Sequence, residues 1–219
     1  MNPVINDWKR IYESGYGVGP SSYIKTKILA GLLRKYKITN YADIGCGKGL
    51  LLSWIGGGQG YDIVKLSPTV RILDIQKNRG AHHQAVVLNA LLEVLQDDIS
   101  AARNISHMAE QYLFVITQWS GASRSLFDTK HAYRKYSKED IQKLFPDFSI
   151  IESFVWGFPV YSLYYWLLEL FSSKNGGLGA SGTLNILTPV IAVFFTLDNL
   201  FKTRGRLLVV VLRRKSLSP

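Results

Sequence analysis

The acid Asp43 precedes three glycines at alternate positions, Gly45, Gly47 and Gly49, within the stretch "YADIGCGKG". Glycine loses more backbone freedom on folding than any other residue, so such a cluster marks a turn that closely approaches a ligand or another segment. Two phosphate-binding readings fail. A G-x-x-x-x-G-K-[ST] loop would need glycine at position 42 and Ser or Thr at position 49, where Ala42 and Gly49 stand. A dinucleotide loop needs G-x-G-x-x-G, but Leu50 occupies the place of the last glycine and Asp43 would repel a pyrophosphate. An acid at this point suits a ligand that is positively charged there. A second acid, Asp62 in "GYDIV", ends the next predicted strand, where it can accept hydrogen bonds from ribose hydroxyls as in nucleotide sites generally.

S-adenosylmethionine (SAM) meets that description, with an α-ammonium, a sulfonium, a ribose and no phosphate. The candidate cofactor-binding set is therefore Asp43, Gly45, Cys46, Gly47, Gly49 and Asp62, joined by Asn89, which follows the fourth predicted strand together with Leu91. Cys46 is the lone cysteine, and its small side chain suits the turn better than it suits nucleophilic work. Of the four histidines, His131 is the candidate general base, in a polar loop with Tyr133, Arg134 and Tyr136. His82 and His83 have no cysteine or acid nearby to complete a metal set and read as loop. Glu93 reads as a surface or helix-start acid, and His107 as a helix-surface residue.

The elements that must carry these residues follow from periodicity and capping. Tyr23–Tyr36 has the spacing of an amphipathic helix. Tyr41–Ile44 is a short strand entering the glycine turn, Lys48–Ile55 a helix closed by "GGGQG", and Tyr61–Val64 a second strand. Ser67 as N-cap, Pro68 in the first turn and Gly80 beyond the end predict a helix over Ser67–Arg79 that leads directly to a strand at Ala85–Asn89. On that reading no strand lies between them, so a third strand beside the second is lacking and the second strand is an exposed edge. The alternative makes "TVRILDI" the third strand and brings Asp74 to the site. Asp97–Ala109 reads as a helix, Tyr112–Thr117 as a buried strand, and "SKED" (Ser137–Asp140) as a capping box opening a helix. "FSIIESFVW" and "GRLLVVVLRR" are the last strands, flanking an apolar, aromatic insertion at 157–204 that contains the linker-like loop "SSKNGGLGASG". Strands alternating with helices give an α/β, Rossmann-like, mainly parallel sheet in one domain, 1–219, with an antiparallel strand at the end.

These segments, in this order, resemble the class I SAM-dependent methyltransferases. "YADIGCGKG" looks like their first motif and "GYDI…SP" their second; "VVLNALLEVLQDD", "HAYRKYSKEDIQKLF" and "FTLDNLF…GRLLVVVLRR" are similar to later segments. The resemblance runs from about residue 8 to 214, with Val94 standing where the family often has His. It implies a seven-strand sheet with the last strand antiparallel, SAM over the carboxyl ends of strands one, two and four, and an acceptor lid in the insertion. The expected activity is methyl transfer, by in-line displacement, to oxygen of a small-molecule, glycan or lipid-linked acceptor. The rival expectation is a catalytically weak or inactive relative serving as a binding or membrane-surface module.

Composition narrows the partners. The chain carries 26 Lys+Arg against 16 Asp+Glu, formal net charge +10, which favours anionic partners or an acidic membrane surface. The aromatics lie in apolar runs rather than among the cations, so nucleic acid is disfavoured. A single cysteine permits no intramolecular disulfide, and "MNPVINDWKR" holds no signal-peptide h-region; both suit a cytoplasmic protein, while the positive charge and the apolar insertion allow peripheral contact at a membrane surface. "TLNILTPVIAVFFTL" is shorter than the ~20 residues needed to span a bilayer and reads as a buried or interfacial helix.

Overall fold

The computed structural model describes residues 3–13, 19–122, 132–171 and 188–216. In chain order the elements are α1 (Pro3–Glu13), α2 (Pro20–Lys35), β1 (Tyr41–Ile44), α3 (Leu50–Trp54), β2 (Gly58–Asp62), β3 (Val70–Ile72), β4 (His83–Asn89), a 3-10 turn (Leu92–Val94), α4 (Asp98–Met108) and β5 (Ala109–Gln118). Then follow α5 (Lys138–Leu144), β6 (Phe148–Trp156), α6 (Val160–Phe171), α7 (Thr188–Phe194), a 3-10 helix (Phe195–Leu200) and β7 (Leu207–Arg214).

The strands form one seven-stranded sheet in the order β3-β2-β1-β4-β5-β7-β6. β1 to β5 are mutually parallel, and β7 is antiparallel to both β5 and β6. The continuous apolar runs of β4, β5 and β7 arise because both faces of the sheet are covered. On one face Val86, Leu88, Val115 and Val210 pack with Ala101 and Ile105 of α4 and Ile141 of α5. On the other, Val87, Phe114 and Val211 pack with Leu29 and Leu33 of α2 and with Trp156, Tyr161 and Phe195. Ser137 and Asp140 form the expected capping box at α5, each side chain accepting from the other's backbone N–H.

The stretch after β2 departs from the expected helix. Val70–Ile72 is a strand paired in parallel with β2, Gly60 opposite Val70 and Asp62 opposite Ile72. The Ser67 hydroxyl, expected to cap a helix, accepts instead from the Thr69 N–H at 3.2 Å, while the Val70 N–H reaches the Ser67 carbonyl at 3.2 Å. That local turn competes with helix nucleation. Val70 then buries its side chain against the sheet, so β2 is not the edge; β3 is, with Ile72 exposed. No helix lies between β2 and β4.

Three smaller corrections share one cause, close packing that hydropathy does not report. β2 starts at Gly58, inside the stretch read as a helix end. A Cβ on Gly58 would stand 2.4 Å from the Tyr41 ring and one on Gly60 2.6 Å from Leu52, so glycine is what lets β2 and α3 approach. His83 is not loop but the first residue of β4, buried, with Nδ1 2.8 Å from Asn40 Oδ1 and Nε2 3.2 Å from the Tyr61 hydroxyl. Glu93 is not a surface acid: it is buried and accepts from the Thr117 hydroxyl at 2.8 Å.

Candidate functional site

The sheet order reverses at β1, which lies between β2 and β4. The chain winds outward to β3 and returns on the other side of β1 to form β4. Crevices at such reversals, beyond the carboxyl ends of the strands, are where open α/β sheets bind ligands. A cavity of about 850 Å³ lies there, with Asp43, Gly45, Cys46, Gly47, Asp62 and Asn89 in its wall.

The glycine turn is built as its spacing implied. Gly45, Gly47 and Gly49 have φ of +71°, +54° and +74°, a left-handed conformation that side chains with a Cβ rarely take. The N–H groups of Gly45 and Cys46 both donate to the Tyr61 carbonyl, at 2.8 and 3.2 Å, tying the turn to β2. Gly49 is not in the cavity wall but precedes α3 as its N-cap, and its N–H bonds the Cys46 carbonyl at 2.9 Å.

Among the described residues, two acceptors in this wall lack a partner. Asp43 is buried, and its Oδ1 has no hydrogen-bond donor; the buried Oδ1 of Asn89 likewise has none. Burial, reinforced by the neighbouring charge of Asp62, pushes the Asp43 carboxyl up to about 7. Asp62 is differently placed. Its Oδ1 accepts from the Val64 N–H at 3.0 Å, and its Oδ2 from the Gly47 N–H at 2.9 Å and the Tyr12 hydroxyl at 3.2 Å. Burial still raises its pKa, against the opposing pull of these bonds. Burial, with the charges of Asp43 and Asp62, also drives the pKa of the Cys46 thiol upward, which disfavours the thiolate.

Other wall residues escaped the sequence reading. Trp8 and Tyr12 of α1 line the cavity, and Tyr12 reaches the glycine turn: a Cβ on Gly47 would stand 3.0 Å from its ring. Lys25 and Thr26 are buried on α2 and line the cavity with Ser22. Their signal was available: polar residues at helical spacing share the inward stripe with Leu29. Asp74 and Gln76 enter from the turn after β3, as the strand alternative for "TVRILDI" requires. The Gln76 side chain accepts from the Asp97 N–H at 2.9 Å, and Asp74 pairs with Lys77 at 3.1 Å, which anchors the turn that replaces a helix. Ala90, with φ +55°, bends the chain sharply after Asn89 and leaves both residues in the wall.

His131 lies outside the described residues, as does part of the insertion, 172–187. None of the described insertion residues lines the cavity. Among the described residues, no group of three or more His, Cys, Asp or Glu side chains could hold a metal ion.

Comparison with solved structures defines the fold. A putative sarcosine dimethylglycine methyltransferase from Galdieria sulphuraria superposes with a TM-score of 0.56 at 12% identity, covering 88% of this chain and 86% of that one. Coclaurine N-methyltransferase, solved with N-methylheliamine and S-adenosylhomocysteine (SAH), gives 0.54 at 13% identity over 86% of this chain and 70% of its own. Magnesium protoporphyrin IX methyltransferase from Synechocystis PCC 6803, solved with bound SAM, gives 0.50 at 15% identity over 98% and 92%. The chain thus has the class I methyltransferase-like fold. No family model matches the sequence, and no curated protein matches it. Another neighbour, a [4+2]-cyclase with a TM-score of 0.56 at 14% identity, covering 85% of this chain and 79% of that one, shows that this fold alone does not fix the reaction.

Proposed function

We propose that the protein is a SAM-dependent methyltransferase acting on oxygen of a small-molecule, glycan or lipid-linked acceptor. The observation that carries this reading is the pair of buried, unpartnered acceptors, Asp43 Oδ1 and Asn89 Oδ1, in the cavity wall beside three left-handed glycines. An orphaned buried acceptor is costly unless a ligand brings a donor. The α-ammonium and hydroxyls of SAM are donors, whereas a phosphate would add only acceptors. On this reading Asp43 and Asn89 hold the amino-acid and ribose portions, Lys25 supplies a cation for the carboxylate, Asp62 faces the ribose, and Asp74 and Gln76 lie toward the base.

When bound, SAM supplies a methyl group on a sulfonium that already activates it for displacement. The chain therefore has to align the partners and exclude water, an effect worth up to about 7–11 kcal/mol. His131 is the proposed general base that takes the proton of an attacking hydroxyl.

A non-catalytic binding module is the second reading. It is favoured by Asp62, whose carboxylate oxygens are already engaged by the chain's own Val64, Gly47 and Tyr12. Calorimetric titration with SAM and SAH, followed by an acceptor screen with methyl-labelled SAM, separates the two. Binding with label transfer supports the methyltransferase, binding without transfer to any acceptor supports the module, and no binding of either ligand overturns the assignment of the cavity.

A further inference from the structure

The insertion presents an apolar surface that the cavity does not explain. Along α7 and the 3-10 helix that continues it, Ala192, Phe195 and Asp198 face inward and are buried. On the other side Val190, Val193, Phe194, Leu197 and Leu200 are each at least half exposed. A surface helix ordinarily turns polar residues outward, and this apolar face has no partner among the described residues. α6 repeats the pattern, with Leu163 53%, Trp166 54% and Leu167 39% exposed at helical spacing.

The two elements pack together through their inner sides. The buried Asp198 carboxylate accepts from the Val160 and Tyr161 N–H groups, both at 2.8 Å, fixing the 3-10 helix to the start of α6. The Phe195 ring lies 5.3 Å from that of Tyr161 and 5.4 Å from that of Tyr164, and Phe158 meets Phe201 edge to face at 6.1 Å.

The charge at the border chooses the occupant. Lys202 and Arg204 are exposed just beyond Phe201, and the only acid described between 188 and 206 is the buried Asp198. A second copy would bring another chain of formal charge +10 against this cationic border. An anionic surface is attracted to it. No helix among the described residues is long and apolar enough to cross a membrane.

We propose that this face docks on an anionic lipid bilayer, with Phe194, Leu197, Leu200 and Trp166 entering the headgroup–acyl boundary while Lys202 and Arg204 contact lipid phosphates. The proposal goes beyond the SAM reading and does not depend on it, because the face lies outside the cavity.

The test is co-sedimentation of the full chain with phosphatidylcholine vesicles, with and without phosphatidylglycerol, at low and high salt. The expected result is capture by the anionic vesicles, weakened by salt. Phe194→Ser with Leu197→Ser should lower vesicle affinity at least tenfold, and Lys202→Glu with Arg204→Glu should abolish the preference for anionic lipid. Because apolar-to-polar variants can unfold, a second readout starts from wild type and one conservative variant: brominated acyl chains should quench the tryptophan fluorescence of wild type, and Trp166→Phe should remove most of that quenching. Absence of capture by either vesicle overturns the proposal, as does capture unchanged by all four substitutions. Sedimentation velocity showing a dimer that Phe194→Ser with Leu197→Ser dissociates, without vesicle capture, assigns the face to a second copy and overturns it too.

Discussion

At the carboxyl end of β1, Asp43 keeps one oxygen unpartnered in a buried setting that holds its pKa at about 7. A ligand ammonium stabilises the ionised carboxylate and lowers that pKa. Proton release then accompanies binding, so SAM affinity should rise with pH and level off above about 7. Below that it should fall roughly tenfold per unit, because each pKa unit corresponds to about 1.4 kcal/mol. Calorimetry from pH 5.5 to 8.5 measures this, and Asp43→Asn should bind weakly with a flat profile. Gly47→Val should abolish SAM binding, since φ of +54° excludes a β-branched residue and the new Cβ would press on the Tyr12 ring. Unchanged affinity in that variant would contradict the assignment of the turn. Tyr12→Phe separates two roles for α1. If ribose replaces the Tyr12 hydroxyl on Asp62, deleting that hydroxyl should tighten SAM binding by about 0.5–1.5 kcal/mol, the net value of one such bond. Weaker binding would assign Tyr12 to closing the site over the ligand.

Among the elements, the short β3 and the insertion carry the structural interest. The turn from Leu73 to Lys77 takes the place of a helix and brings Asp74 and Gln76 to the cavity, held by Gln76 to Asp97 and by Asn104 Nδ2 to the Ile75 carbonyl at 2.8 Å. Asn104→Ala should loosen this turn and weaken SAM binding a few-fold, with little change in the melting temperature. The Asp198 carboxylate does a different job, satisfying two N–H groups at the start of α6 that no helical carbonyl can reach. Asp198→Ala leaves both buried without an acceptor and should cost about 2–4 kcal/mol in urea unfolding. Asp198→Asn, which retains one acceptor oxygen, should cost about half as much.

For the whole molecule, buried carboxylates at the crevice set a pH dependence of stability. Burial raises the Asp43 carboxyl from an ordinary 3.8 to about 7, and raises Asp62 as well. A group whose pKa is higher folded than unfolded stabilises fully below its unfolded pKa, and that contribution is lost as pH rises through the folded value. The ligand-free protein should therefore lose a few kcal/mol from this source between about pH 4 and 7. The urea midpoint of Asp43→Asn should exceed that of wild type at pH 8, and the difference should shrink toward pH 5. Saturating SAM should narrow the difference at pH 8, because wild type gains the ionic contact; at a hundred times Kd a ligand adds about 2.7 kcal/mol.

Sequence by itself determined the glycine turn, the two acids flanking it and the alternation that yields a mainly parallel sheet. Each is local: a left-handed turn admits only certain residues, and a strand buried on both faces needs a continuous apolar run such as that of β4. The residues 67–79 show where local reasoning ends. Ser67, Pro68 and Gly80 are good helix punctuation, yet Val70 gains more by pairing with Gly60 and covering β2, a partner that no window of sequence contains. The same holds for Tyr12 on Asp62, fifty positions apart, and for Glu93 under Thr117. Only the tertiary structure decided these, because it alone sets which polar groups lose water together and which of them, like the Oδ1 atoms of Asp43 and Asn89, are left without a donor among the described residues.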